Sequence, residues 1–252
     1  MAETLIPGAE PWSHDGGRQG ALCIHGFTGN PSSMRGVAEA FAAAGFSVEL
    51  PRLPGHGTTV QDMMDTRWAD WSGEVEAAYQ RLAARTDRIV VTGLSMGGTL
   101  TLWTAAEHPE VAGIVCINPA TMPQEAELLD MVRGMVSEGT LMFPGIGSDI
   151  ADPDVTETAY AETPLEPLLS LVDDGVAPLV DRYGRIRCPM LLMNSPQDHV
   201  VPPESGDFLA ERFGGPVERI SLDRSYHVAT LDYDRPLVEA EAVAFGQRVT
   251  GA

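Results

Sequence analysis

The chain of 252 residues contains no lysine, so each of its 16 basic side chains is an arginine. This absence excludes nucleotide binding through a Walker-A lysine, Schiff-base chemistry and a Ser–Lys dyad. Asp and Glu together number 36, which gives a formal net charge of −20. Nucleic acids and anionic membranes repel such a chain, and no basic run offsets the repulsion, so we expect no nucleic-acid partner.

Long apolar runs and paired cysteines are missing as well. No run approaches the roughly 18 apolar residues of a membrane span, and the first residues do not resemble a secretory signal. The three cysteines, Cys23, Cys116 and Cys188, are far apart and include no CxxC pair, which argues against a disulfide framework and a zinc site. The sequence therefore predicts no metal, no stable membrane anchoring and a cytoplasmic location.

The pattern of apolar residues predicts an α/β fold, a mostly parallel central sheet flanked by helices, because apolar strand-like runs alternate with helical periodicity. The predicted strands are 21–24, 46–50, 88–92, 111–117, 189–194 and 217–222. The predicted helices between and after them are 31–44, 68–84, 95–108 and 235–248.

This alternation stops between residues 120 and 181, where the sequence shows helical and loop patterns and no strand. Such a length is unusual for a connection within a compact domain. We therefore expect a cap, 120–181, inserted after the Val111–Ile117 strand into a core formed by 1–119 and 182–252. An apolar stripe from Leu128 to Val136 could belong to this cap or form a dimer face, and the oligomeric state stays open.

A Gly-x-Ser-x-Gly motif, Gly93-Leu-Ser-Met-Gly97, lies directly between a predicted buried strand and a predicted helix. A sharp turn there would leave the hydroxyl of Ser95 exposed at the sheet edge, with glycines where side chains would collide. This context favours a nucleophilic serine over a purely structural glycine-rich turn.

A serine nucleophile needs a histidine base, and in this architecture the chain order is serine, acid, histidine. That order excludes the three histidines before Ser95, and His108 ends the helix that the serine begins. His199 follows the 189–194 strand so closely that it leaves no room for an acid on the loop of a preceding strand. This leaves His227 as the base. We expect His25 and His56 to tie loops together by hydrogen bonds.

Asp198 is the predicted acid because it follows the 189–194 strand and precedes the rigid sequence Val200-Val-Pro-Pro203. Asp223 is the rival but lies only four residues before His227. Asp232 and Asp234 follow the histidine and break the order.

An oxyanion needs two preorganised N–H donors. We expect one from the backbone of Met96, directly after the nucleophile. The other is predicted at Phe27, in the loop His25-Gly-Phe-Thr-Gly29 after the first strand of the sheet.

Several longer motifs make the chain resemble α/β-hydrolase-fold serine esterases and lipases, above all small bacterial monoacylglycerol lipases and related carboxylesterases. The resemblance runs from about residue 20 to the C-terminus. It rests on His25-Gly-Phe-Thr-Gly29, Pro51-Arg-Leu-Pro-Gly-His-Gly57, Gly93-Leu-Ser-Met-Gly-Gly-Thr99, Asp198-His-Val-Val-Pro-Pro203, Ser225-Tyr-His-Val-Ala-Thr-Leu-Asp-Tyr-Asp234 and, in the cap, Ile146-Gly-Ser-Asp149.

The resemblance implies an enzyme without a cofactor that hydrolyses monoacylglycerols or short-to-medium acyl esters through an acyl-enzyme. It assigns Ser95, Asp198 and His227 to the triad and the oxyanion donors to Phe27 and Met96. In the cap, it implies that Ile146 borders the acyl channel and that Glu157 reaches the free hydroxyls of the alcohol.

Two alternatives remain open. The same triad could serve a general carboxylesterase or thioesterase, or the chain could be a ligand-binding relative without turnover. A dehalogenase-type enzyme would need an aspartate at the position of Ser95. The predicted partner is a small-molecule ester, with transient contact between the cap and lipid aggregates.

Overall fold

The computed structural model of the chain describes residues 5–145 and 147–251. The strands of its main sheet are β1 (Trp12–His14), β2 (Gln19–Ile24), β3 (Ser47–Leu50), β4 (Arg88–Leu94), β5 (Gly113–Ile117), β8 (Met190–Asn194) and β9 (Val217–Ser221). Within the described ranges these seven strands lie in the order β1-β3-β2-β4-β5-β8-β9. Only β1 is antiparallel to its neighbour, which confirms the predicted, mostly parallel sheet.

Helices cover both faces of this sheet. The helices in the described ranges are α1 (Arg35–Ala43), α2 (Val60–Met64), α3 (Trp68–Ala83), α4 (Met96–Glu107), α5 (Ala126–Ser137), α6 (Leu165–Ser170), α7 (Ala177–Val180), α8 (Glu204–Arg212) and α9 (Arg235–Thr250). Successive side chains of a strand point to opposite faces. In β2, accordingly, Ala21 and Cys23 pack with Phe41 of α1, whereas Leu22 and Ile24 enter the core beneath α3 and α4. Burial on both faces explains why residues 21–24 of this strand are all apolar.

The predicted helices and strands of the core are present, with ends that differ by a few residues. The sequence analysis missed β1, α2 and α8, which are short or mainly polar. In α2 a capping box gives the start of the helix, since the Thr59 hydroxyl accepts from the N–H of Asp62 and the Asp62 carboxylate accepts from the N–H of Thr59.

The segment 120–181 corrects one expectation, because it does contain strands. β6 (Met142–Pro144) and β7 (Glu162–Pro164) form a separate antiparallel pair with Phe143 opposite Thr163. Each strand has three residues and ends in proline, so neither is long enough to show alternation. A π-helical turn, Leu171–Val176, joins α6 to α7. None of the helices in the described ranges is long and apolar enough to cross a membrane.

The carboxyl ends of the parallel strands meet at one edge of the sheet. The loops that follow β2, β4, β8 and β9 carry the predicted site residues Phe27, Ser95, Asp198 and His227 in that order. Ligands of open α/β sheets bind at this edge, so the fold places all four loops where chemistry is expected.

Candidate active site

Ser95 forms the turn between β4 and α4 in a backbone conformation that is rare for a residue with a side chain, with φ 59° and ψ −121°. Glycines surround it because nothing larger fits. A Cβ on Gly93 would lie 2.1 Å from the carbonyl oxygen of Gly97, and a Cβ on Gly97 would lie 2.2 Å from that of Ile24. The strained turn therefore has the geometry expected of a nucleophile elbow.

The structure brings Asp198 and His227 together. Oδ2 of Asp198 lies 2.7 Å from Nδ1 of His227, and only 2% and 7% of the two side chains are exposed. The other oxygen, Oδ1, accepts from the N–H groups of Val200 and Val201, both at 2.8 Å. With Nδ1–H donating to the carboxylate, Nε2 of His227 carries a lone pair that can accept a proton.

Among the described residues the hydroxyl of Ser95 makes no hydrogen bond to His227. Catalytic hydrogen bonds of this kind often tighten only when the substrate is bound. The rival acid, Asp223, lies at the exposed end of β9 and is hydrogen bonded to Ser221.

The loop after β2 packs directly against the serine. A Cβ on Gly26 would lie 3.2 Å from Cβ of Ser95, so glycine permits this close approach. Phe27 follows in the same loop, and Met96 begins α4 on the other side of the serine. In the described part of the chain, neither backbone N–H of these two residues has a hydrogen-bond acceptor, which leaves both free to bind an anionic oxygen.

His25 ties two loops together, as expected, whereas His56 makes its hydrogen bond within its own loop. Nε2 of His25 accepts from the N–H of Leu53 at 3.1 Å, and Nδ1 of His56 lies 2.9 Å from the carbonyl oxygen of Pro54. Burial lowers the pKa of His25 well below its usual range and that of His56 to about 4. Both rings are therefore neutral near pH 7.

Glu157 lies over the loop after β2. Its Oε1 would be 3.0 Å from a Cβ on Gly29, and its neighbour Thr158 accepts a hydrogen bond from Nδ2 of Asn30 at 3.1 Å. Burial raises the pKa of the Glu157 carboxyl, and the charge of His227 opposes the rise. Glu157 is thus only partly exposed, and its carboxyl lies against the loop after β2 rather than free on an acidic outer surface.

The other predicted cap residues are only partly described. Ile146 lies outside the described residues. The apolar side chains near it are partly or well exposed, and Leu141 and Phe143 have 45% and 52% of their surface in contact with solvent. The same holds for α5, in which no residue is buried.

Sequence reasoning missed the residues that hold the histidine loop. Asn118, directly after β5, has a positive φ of 42°. Its Nδ2 donates to the carbonyl oxygen of His227 at 2.8 Å, and its Oδ1 accepts from the N–H of Ser195 at 2.8 Å. The signal for Asn118 in the sequence was a polar residue directly after a buried strand. Asparagine tolerates a positive φ better than most residues do.

Among the described residues, no group of three or more His, Cys, Asp or Glu side chains is arranged to hold a metal ion. The site residues that the structure describes are thus a serine, a histidine, carboxylates and backbone amides. These groups suit acyl transfer to and from a serine.

Comparison with known proteins gives a consistent result. A profile of the alpha/beta hydrolase family matches residues 21–241. The chain is 44% identical over 250 residues to a thermostable monoacylglycerol lipase from Bacillus sp. (strain H-257), covering 98% of each chain. It is 26% identical to a carboxylesterase from Bacillus subtilis (strain 168), covering 95% of this chain and 97% of the relative.

A solved structure from work on the metagenome-derived lipolytic enzymes LipS and LipT is also similar. It superposes with a TM-score of 0.92 at 42% identity, covering 97% of this chain and 100% of the other. A second structure, of Paleococcus ferrophilus monoacylglycerol lipase, has a TM-score of 0.72 at 17% identity, covering 96% of this chain and 99% of the other, and shares the fold.

Proposed function

The chain belongs to the alpha/beta hydrolase family, and on that premise we propose that it is a serine hydrolase that cleaves monoacylglycerols to a free fatty acid and glycerol. The observation that carries the proposal is the buried hydrogen bond of 2.7 Å between Asp198 and His227, at the same sheet edge as the strained turn of Ser95. The relative named as a monoacylglycerol lipase supports the substrate class, because the similarity extends over nearly the full length of both chains.

In the first half of the proposed reaction, Oγ of Ser95 attacks the ester carbonyl carbon while Nε2 of His227 accepts the hydroxyl proton. Asp198 holds the imidazole in the tautomer that allows this and stabilises the imidazolium. The carbonyl oxygen becomes an oxyanion and binds the N–H groups of Phe27 and Met96. The C–O bond to the alcohol then breaks, the imidazolium gives its proton to the leaving alkoxide, and an acyl-enzyme on Ser95 remains.

In the second half, water attacks the acyl-enzyme and Nε2 of His227 takes the proton of the water. The collapse of the second tetrahedral intermediate releases the fatty acid, and the serine regains its proton from the imidazolium. Every proton is thus transferred through one histidine, and no cofactor takes part.

The preference for a monoacylglycerol is proposed to depend on Glu157. A glycerol leaving group carries two free hydroxyls, and a carboxylate offers acceptor oxygens to both. The position of this carboxyl against Gly29 supports the assignment, because Gly29 ends the loop that holds the oxyanion donor Phe27.

The experiment that tests the proposal is a hydrolysis panel of monoacylglycerols, diacylglycerols and nitrophenyl esters over a range of chain lengths. A higher kcat/KM for the monoacylglycerol than for an aryl ester or thioester of equal chain length supports the proposal. The reverse order would favour the second candidate, a general carboxylesterase or thioesterase. The similarity to the Bacillus subtilis carboxylesterase supports this candidate. A wild-type chain that neither turns over esters nor reacts with a fluorophosphonate probe would instead be a ligand-binding relative.

We further propose that the segment 120–181 acts as a cap and touches dispersed lipid substrate transiently through its exposed apolar side chains. These are Leu128, Met131, Leu141 and Phe143, with 43%, 57%, 45% and 52% of their surface exposed. Because the chain has a net charge of −20, we expect this contact with neutral rather than anionic lipid. Flotation with neutral and anionic vesicles, with Met131→Glu as the variant, tests it, and a stable dimer through this face would contradict it.

A cytoplasmic location is part of the same proposal. Cys23, Cys116 and Cys188 are all free thiols, and the first two are buried. Free thiols persist in reducing compartments.

A further inference from the structure

Asp149 connects the segment 120–181 to both loops that carry the proposed acid and base. Its Oδ2 accepts the backbone N–H of His199 at 3.1 Å and the backbone N–H of His227 at 3.0 Å. Its Oδ1 lies 2.8 Å from Nδ1 of His199, and only 9% of the Asp149 side chain is exposed. One buried carboxylate thus holds the residue after Asp198 and the proposed base itself.

The main chain of His227 is held from two sides. Asp149 accepts from its N–H, and Nδ2 of Asn118 donates to its carbonyl oxygen at 2.8 Å. The next N–H, of Val228, donates to the backbone carbonyl oxygen of Asp149 at 3.1 Å. With both backbone groups fixed, the imidazole has little freedom beyond its own side-chain torsions.

The histidine loop binds the same segment in return. The buried carboxylate of Asp232 accepts the N–H groups of Ala151 and Asp152 at 2.7 and 3.1 Å. It also accepts the N–H of Tyr226, next to the histidine, at 2.9 Å. Each of the two chain segments therefore supplies a carboxylate that binds the backbone of the other, so this part of the segment is attached to the catalytic loop at several points.

We propose that Asp149 is a positioning residue for catalysis, which fixes the backbone of His227 so that its imidazole faces Asp198 on one side and Ser95 on the other. The proposal rests on the proposed function of His227 as the base. A shift of about 1 Å in a catalytic group can lower the rate by about 100-fold. The hydrogen bonds to Oδ2, rather than the negative charge, carry this role.

Two substitutions separate hydrogen-bond position from charge. In Asp149→Asn, the amide oxygen still accepts both backbone N–H groups, and the amide nitrogen donates to Nδ1 of His199 in its other tautomer. Asp149→Glu keeps the charge but moves the oxygens by one methylene. We expect kcat for a monoacylglycerol to stay within about threefold of wild type in Asp149→Asn and to fall about 10- to 100-fold in Asp149→Glu, with KM changed little in both.

The rate of covalent labelling of Ser95 by a fluorophosphonate should fall in parallel with kcat, since labelling uses the same base. Ser47→Ala is the control for stability. The buried Ser47 hydroxyl hydrogen bonds the backbone of Gly16 and Gly17, at the edge of the sheet opposite the carboxyl ends of the parallel strands. It should lower the melting temperature without changing kcat. This control separates lost positioning from a general loss of stability.

The inference is overturned if Asp149→Glu turns over as fast as Asp149→Asn, or if the decrease appears only in KM. A wild-type chain that neither hydrolyses esters nor reacts with the fluorophosphonate would overturn the proposed function instead. The two failures are therefore distinguishable.

Discussion

Asp198 binds Nδ1 of His227 through one carboxylate oxygen and the backbone of its own loop through the other, so its carboxylate is fixed before any substrate arrives. We expect Asp198→Asn to lower kcat by about 10⁴-fold, because an amide nitrogen next to Nδ1 favours the wrong histidine tautomer. Esterase kinetics with a nitrophenyl ester measure this loss.

His199→Ala is the matched control for His227→Ala, because both side chains follow strands at the same edge of the sheet. The His199 side chain is 57% exposed, whereas only 7% of the His227 side chain is. His227→Ala should lose most of kcat and His199→Ala much less. If His199→Ala were the inactive variant, the assignment of the base would be wrong.

Glu157→Ala should raise KM for monoacylglycerols, with a loss of about 1.5–3 kcal/mol in binding, because a hydrogen bond to a charged group has that magnitude. Methyl and ethyl esters of the same fatty acid have no free hydroxyl, so their kinetics should change little. Steady-state kinetics on both substrate types measure the difference.

The control is Glu162→Ala, because Glu162 is an exposed glutamate in β7. An equal loss on both substrate types would indicate damage to the segment 120–181, and no loss on either would refute the role of Glu157.

Glu157→Gln should stabilise the fold in alkaline solution. Burial raises the pKa of Glu157 in the folded protein, so the folded state binds a proton more tightly than the unfolded state. The free energy of unfolding therefore falls as pH rises from the pKa of the unfolded state to the raised pKa of the folded state. Glutamine is neutral at every pH and removes this dependence. Thermal unfolding at pH 4.5 and pH 8 should show a gain for the variant at pH 8 alone. A gain that is equal at both pH values would mean that ionisation is not the cause.

His108 should stabilise the fold in acid. Burial lowers the pKa of its ring, but hydrogen bonds to Glu76 and Glu110 outweigh that and raise it above its ordinary value of about 6.5. A raised pKa contributes stability that is complete below pH 6.5 and disappears as pH rises through the folded-state pKa. His108→Phe keeps the ring beside Tyr79 and removes the charge. Its melting temperature should fall more at pH 5.5 than at pH 9, and an equal fall would contradict this account.

The sequence was sufficient to predict the six parallel strands of the sheet, its main helices and the order of the proposed triad, because buried parallel strands are apolar on both faces and the Gly93–Gly97 motif requires a sharp turn. It was insufficient for β6 and β7, whose three residues show no periodicity. It also missed Asp149 and Asn118. Their roles depend on contacts between distant segments, and a single carboxylate or amide in a loop does not reveal which backbone groups it will meet.

The central claim is that Ser95 is the nucleophile of an ester hydrolase, and the most direct measurement is monoacylglycerol hydrolysis by Ser95→Ala beside wild type. We expect kcat to fall by about 10⁶-fold, to a residual rate roughly 10³–10⁴-fold above that of water. The melting profile should be unchanged because, although Ser95 is buried rather than exposed as the sequence suggested, its hydroxyl makes no hydrogen bond within the described residues. Turnover by Ser95→Ala at the rate of the wild-type chain would contradict the account.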